Sequence, residues 1–260
     1  MLRRFSWCLL TVMPFCQLMA QSCTTPVDAT TQAKAVEPSS SAFWQQQLTF
    51  PRFRDAQAAA GEKVNNLLRK HAIDPRHPEI LLRLVKTNLK LEVWARNPGT
   101  EPFELVRAYP LAATSGGLGP KRQAGDEQVP EGFYEIDRFN PKSNYHLSLG
   151  LNYPNEADRA LGDPDPGGDI FIHGGDVTIG CMPITDAGIE EVYLLAAKAR
   201  AGGQQIIPVH IFPFPLTEEE FAKHQNSPHL AFWEELAPRY AHFEKTHQLA
   251  EPVQVAKTGQ

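Results

Sequence analysis

Cysteine is scarce: of four in 260 residues, three (Cys8, Cys16 and Cys23) fall in the first 23 positions. Cys181 therefore stands alone in the body of the chain, which excludes a disulfide framework and a paired-cysteine zinc site there. There is no His-Glu-x-x-His sequence, and His173 with Asp176 makes only one weak pair, so neither a metal nor another cofactor is expected. Positive charge is not in excess either. Lys and Arg number 25 against 30 Asp and Glu, giving a net charge of -5 with no basic cluster, which argues against nucleic acid as a partner. Long apolar runs are missing too: the one from about Trp7 to Met19 is too short and interrupted to span a membrane. No internal repeat is present.

What the N-terminus does have is Arg3 and Arg4 ahead of that apolar stretch, then the small residue Ala20, the pattern of an export signal over residues 1–20. Two readings of the junction stand. Leu18-Met19-Ala20 fits plain cleavage, and Ala20-Gln21-Ser22-Cys23 fits a degenerate lipoprotein box that would leave a lipid anchor on Cys23. Either one places the protein in the periplasm. Residues 21–41 are rich in Thr, Ser, Ala and Pro and read as a flexible linker. Residues 42–78 form an N-terminal helical segment, with helical spacing from Asp55 to Ile73. A catalytic domain over 79–248 and a tail over 249–260 complete the division.

Within 79–248 the apolar period shortens. Strands are expected at Ile80–Val85, Leu89–Trp94, Phe103–Tyr109, Gly132–Arg138, Tyr145–Leu151, Asp169–His173 and Ile206–Phe212. Helices are expected at Thr185–Arg200, near Thr217–Gln225 and at Pro228–Gln248. The fold class is α+β: a mostly antiparallel sheet or sandwich with peripheral helices and an N-terminal helix.

Ile172-His173-Gly174-Gly175-Asp176-Val177-Thr178-Ile179-Gly180-Cys181 carries the chemistry. A buried structural thiol needs no flanking glycines and no upstream histidine, whereas a nucleophile needs a base and room for a substrate backbone. His173 would end a strand, and Cys181 would precede a helix, whose positive end favours a thiolate. The backbone N–H groups of Ile179, Gly180 and Cys181 are placed to receive an oxyanion.

These residues resemble the YkuD-type L,D-transpeptidase motif, His-Gly followed by Ser/Thr-x-Gly-Cys, here His173-Gly174 and Thr178-Ile179-Gly180-Cys181. The likeness is closer to the YafK-like subgroup and extends over about residues 79 to 245. It includes Gly119-Pro120-Lys121, Gly125-Asp126-x-Gln128-x-Pro130-Glu131-Gly132-x-Tyr134, Asn140-Pro141-x-Ser143-x-Tyr145-His146-x-Ser148 and His210-Ile211-Phe212-Pro213-Phe214. The resemblance implies a cysteine enzyme working on peptidoglycan stem peptides. Cys181 would be the nucleophile, His173 the base, and the Gly174 carbonyl the group that orients the imidazole. Thr178, Tyr145, His146 and Lys121 would contact substrate. Cys181-Met182-Pro183 departs from the family's Cys-hydrophobic-Arg run, so a carboxylate clamp is missing. The subgroup implies cutting of the bond between peptidoglycan and an outer-membrane lipoprotein. Cross-link formation and an inactive wall-binding module are the competing readings.

Local readings remain beside these. His146 and His210 lie in strand-like runs, where a histidine with satisfied nitrogens is the commoner outcome. The loop Gly116–Glu131, with Lys121, reads equally as a solvated connection or as a groove wall.

Overall fold

The computed structural model describes residues 41–99 and 101–250. The expected signal segment, Cys23, the linker apart from Ser41, and nearly all of the expected tail lie outside them. Among the described residues no helix is long and apolar enough to cross a membrane.

Eight strands form one curled sheet: β1 (Glu79–Val85), β2 (Lys90–Arg96), β3 (Glu104–Pro110), β4 (Gly132–Asn140), β5 (Ser148–Leu151), β6 (Phe171–His173), β7 (Met182–Pro183) and β8 (Pro208–Phe212). Their order is β3-β2-β1-β8-β4-β5-β6-β7. Only β1 with β8 and β6 with β7 run parallel. Strand β4 is the joint. Gly132–Glu135 pair with β8 and Ile136–Asn140 pair with β5, and the register slips between Ile136 and Arg138. A slip of that kind bends and twists a strand, so the sheet curls as one layer instead of dividing into a sandwich.

Period-two alternation gives the sheet two apolar faces. On one, Leu82, Leu84, Val209 and Ile211 pack in the main core beneath α4 (Asp186–Ala201). Helix α4 is buried on nearly every side because α1 (Ala42–Leu48) and α2 (Pro51–Lys70) cover its outer surface. Phe53, Ala56, Val64 and Leu68 of α2 are fully buried, at the spacing that aligns a helical stripe. On the other face, Val85 and Phe212 meet Trp233, Leu236 and Tyr240 of α6 (Leu230–Thr246).

Local features differ from the expected elements, the two-residue strand β7 among them. The N-terminal helical segment is two helices, because Pro51 cannot continue α1 but suits the first turn of α2. β5 starts at Ser148, three residues later than expected, because His146 takes φ 68° and turns the chain. β6 starts at Phe171, since Asp169 has φ 55°. Helix α3 (Glu156–Leu161) was not anticipated, although Asn155 and Asp158 close a reciprocal capping box at its start. The remaining helix, α5 (Glu218–Lys223), lies where helical spacing was read.

Candidate active site

His173 is the last residue of β6, and the chain leaves it through a tight Gly174-Gly175 turn. Gly174 N–H is shared between the carbonyls of Tyr145 and Leu147, at 3.0 and 3.3 Å. Gly175 N–H donates to Asp186 Oδ1 at 2.8 Å, in the first turn of α4. A Cβ on Gly174 would strike the Asp186 carboxylate and come within 2.9 Å of the Tyr145 carbonyl, so only glycine fits.

Parallel pairing of Ile172 with Met182 and His173 with Pro183 sets the geometry. Cys181, one residue ahead of Met182, falls beside Phe171 and on the same side of the pleat as His173. Both side chains line a cavity of about 450 Å³ together with Thr178, Ile179, Tyr145 and Asp169. No Lys or Arg is among the described residues that line it.

His173 is 2% exposed, and its Nδ1 lies 2.6 Å from the Gly174 carbonyl oxygen. A carbonyl can only accept, so Nδ1 carries the proton and Nε2 is left with its lone pair. Burial holds the imidazole below its ordinary pKa of 6.5, against the opposing effect of the Gly174 bond. Burial also pushes the Cys181 thiol up; a backbone bond from Phe171 and the charge of Lys121 pull the other way, and Asp169 adds to the rise. Both shifts favour the neutral forms, thiol and imidazole. The thiol points at the Asp169 carbonyl oxygen, 3.6 Å away.

Thr178 organises the loop. Its Oγ1 accepts from Gly180 N–H at 3.1 Å and from Cys181 N–H at 2.7 Å, and donates to the Cys181 carbonyl at 2.8 Å. Gly180 adopts φ 127°, and a Cβ there would sit 3.0 Å from the Gln128 carbonyl. Two of the three N–H groups read as oxyanion donors thus converge on one oxygen. Ile179 is 78% exposed at the cavity mouth.

The other substrate contacts read from the sequence separate. Tyr145 lines the cavity, its ring 4.7 Å from the His173 ring. His146 does not line it: Nε2 lies 2.8 Å from Glu190 Oε1 of α4. Lys121 also lies outside the lining. It is 5% exposed, with Nζ 2.5 Å from Asp126 Oδ1 and 2.8 Å from the Gln123 carbonyl, so its ammonium is committed within its own loop. His210 is buried against Phe133, away from Cys181. Sequence reasoning missed Asp186, which clamps the glycine turn, and Asp169, which faces the thiol. A carboxylate in the first turn of α4 and a positive-φ aspartate are signals that only tertiary structure makes specific. Among the described residues no cluster of three or more potential metal ligands occurs.

Residues 86–211 match the L,D-transpeptidase catalytic domain family, YkuD. Over 171 residues the chain is 35% identical to the Escherichia coli (strain K12) protein named "Putative L,D-transpeptidase YafK", an alignment covering 65% of this chain and 68% of that one. The chain belongs to the L,D-transpeptidase family. Members of this family act on peptidoglycan. Two solved structures are also similar: the helical cell shape determining protein Pgp2 of Campylobacter jejuni (24% identity, TM-score 0.42, 53% of this chain and 49% of that one) and Bd1075 of Bdellovibrio bacteriovorus (20% identity, TM-score 0.38, 60% and 56%). The chain spans about half the length of these two structures.

Proposed function

We propose that this L,D-transpeptidase family member is an exported, periplasmic cysteine hydrolase that cuts the amide between peptidoglycan stem peptides and an outer-membrane lipoprotein. The observation that carries the reading is that Cys181, one residue ahead of β7, and a Nε2-basic His173 at the end of β6 line one cavity, with no Lys or Arg among its described lining residues. In the first half-reaction, His173 Nε2 takes the Cys181 proton as sulfur attacks the carbonyl at the L-centre of meso-diaminopimelate. The carbonyl electrons move to oxygen, which displaces the Thr178 hydroxyl from the N–H groups of Gly180 and Cys181. Collapse expels the amine, which takes the proton from the imidazolium, and leaves a thioester. Water then adds with His173 as base; the acid is released and the proton returns to sulfur.

An amine in place of water gives the second reading, a transpeptidase that forms cross-links or attaches lipoprotein. It is favoured by Val177 and Ile179, exposed apolar side chains on the cavity lining that offer an acceptor peptide a surface to pack on. The purified protein, with Cys181→Ala as control, should release lipoprotein from sacculi that carry it covalently. New cross-links without release would establish the transferase. No product and no Cys181 adduct with an electrophilic thiol probe would leave an inactive wall-binding module. Localisation by fractionation, and mass spectrometry of Cys23, test the export and lipid-anchor readings.

A further inference from the structure

Arg138, on β4, is read by neither the motif nor the mechanism, and it lies just outside the cavity lining, in contact with two residues of it, Asp169 and Phe171. Register places Arg138 opposite Gly150 on β5 and Gly150 opposite Phe171 on β6, so the three occupy one cross-strand row. Gly150 provides no side chain, and the guanidinium lies over it to stack on the Phe171 ring, 4.8 Å from its centroid. A Cβ at Gly150 would come within 2.9 Å of Arg138 Nε and 2.8 Å of Asp137 Oδ1, so a side chain there would push both groups from these positions. Arg138 Nε donates to Asp137 at 3.1 Å and Nη1 to Asp169 at 2.9 Å. A guanidinium has five N–H donors, so these two bonds leave three, and both Nη2 hydrogens are among them. Asp169 and Phe171 both line the cavity, and the Asp169 carboxylate is largely exposed.

We infer that Arg138 and Asp169 form a subsite for a zwitterionic α-amino-acid group on the substrate, with the ligand's carboxylate on the remaining N–H donors of Arg138 and its ammonium on Asp169. Stacking on Phe171 fixes the guanidinium plane, which is what in-plane recognition of a carboxylate needs. The two aspartates against one arginine leave an excess negative charge for the ammonium. Asp169 also aims its backbone carbonyl at the Cys181 thiol, so one residue ties the subsite to the nucleophile. This rests on the proposed function, in which the scissile amide is at the L-centre of a diamino acid whose other centre, across a short alkyl spacer, bears a free ammonium and carboxylate.

The test uses three muropeptides in which a lysine ε-amine is joined to the third residue of the stem at its L-centre carbonyl. That third residue is meso-diaminopimelate, L-lysine (ammonium without carboxylate) or diaminopimelate acetylated on its free amine. The wild-type protein should show kcat/KM about tenfold or more higher for the first than for either other, mostly through KM. Arg138→Gln should abolish the preference over the lysine peptide. Asp169→Asn should abolish the preference over the acetylated peptide; asparagine tolerates the positive φ of this position, so the backbone carbonyl stays in place. Equal rates on all three peptides by the wild type, or preferences unchanged in both variants, would overturn the subsite. If no peptide is cleaved, the hydrolase reading fails separately. Titration of Cys181→Ala with the same peptides then decides the subsite through the order of Kd. The wild-type comparison stands even where a variant does not fold.

Discussion

Glu131 should be among the costliest single positions in the molecule. Its side chain is fully buried and meets three donors: Lys86 Nζ at 2.9 Å, Gly119 N–H at 2.8 Å and Trp233 Nε1–H at 2.7 Å. Lys86 is 9% exposed, and its other contacts are the Gly119 and Val129 carbonyls. Burial already lowers the ammonium's pKa, with Glu131 opposing that shift. Glu131→Gln keeps the shape but strands a cation in the interior, and breaking one side of a buried pair costs about 3–5 kcal/mol. For an ordered unit of this size, about 2–4 °C of Tm is lost per kcal/mol, so the melting point should fall on the order of 10 °C. The assay is thermal and urea denaturation of wild type, Glu131→Gln, Lys86→Met and the double variant. Removing the cation as well should restore more than half of the loss, because the penalty belongs to the unpaired charge and not to the missing attraction. A drop below about 1 kcal/mol, or the same loss with and without Lys86, would refute this account.

Three further outcomes are expected. Alkylation of Cys181 by iodoacetamide should rise with pH to a midpoint above the ordinary thiol value, because burial favours the neutral thiol; a plateau near neutrality would mean a standing thiolate–imidazolium pair. Gly180→Ala must force an L-residue to φ 127° against the Gln128 carbonyl; kcat should fall about 10²–10³-fold, as when an oxyanion donor is lost, while circular dichroism reports an intact fold. Burial and the charges of Arg239 and Arg83 hold the His210 pKa down at about 3, against 6.5 when free. The unfolded chain therefore binds the extra proton first, so this stability is present above pH 6.5 and is lost as pH falls from 6.5 towards 3. His210→Leu should flatten that part of a pH–stability curve; an unchanged slope would place the acid sensitivity elsewhere.

The larger elements were legible because their signals are periodic. The stripe Ile189, Val192, Tyr193 and Ala196 located α4, and alternating runs located β1 to β4. Less was legible where one residue's backbone decides. Positive φ at His146 and Asp169 shortened two strands, and two-residue β7 exists only because β6 lies beside it. The site followed the same division. Its motif put Cys181 and His173 in view, and the structure sets both on one cavity. The partners of side chains distant in sequence could not be read: Glu190 draws His146 away, Asp126 occupies Lys121, and Asp186 secures the turn after His173.

Under the proposed mechanism, the hydroxyl of Thr178 holds the place of the oxyanion in the resting protein. Two N–H groups already converge on an oxygen before any substrate arrives, so their alignment costs nothing at the moment of attack. A substrate carbonyl entering the same position exchanges one neutral oxygen for another, and that swap adds little binding in the ground state. Only when the carbonyl oxygen gains negative charge does the exchange become favourable, since charged acceptors form stronger bonds than neutral ones. In the proposed reaction, a single threonine thereby makes the same pair of donors indifferent to the substrate and selective for its transition state.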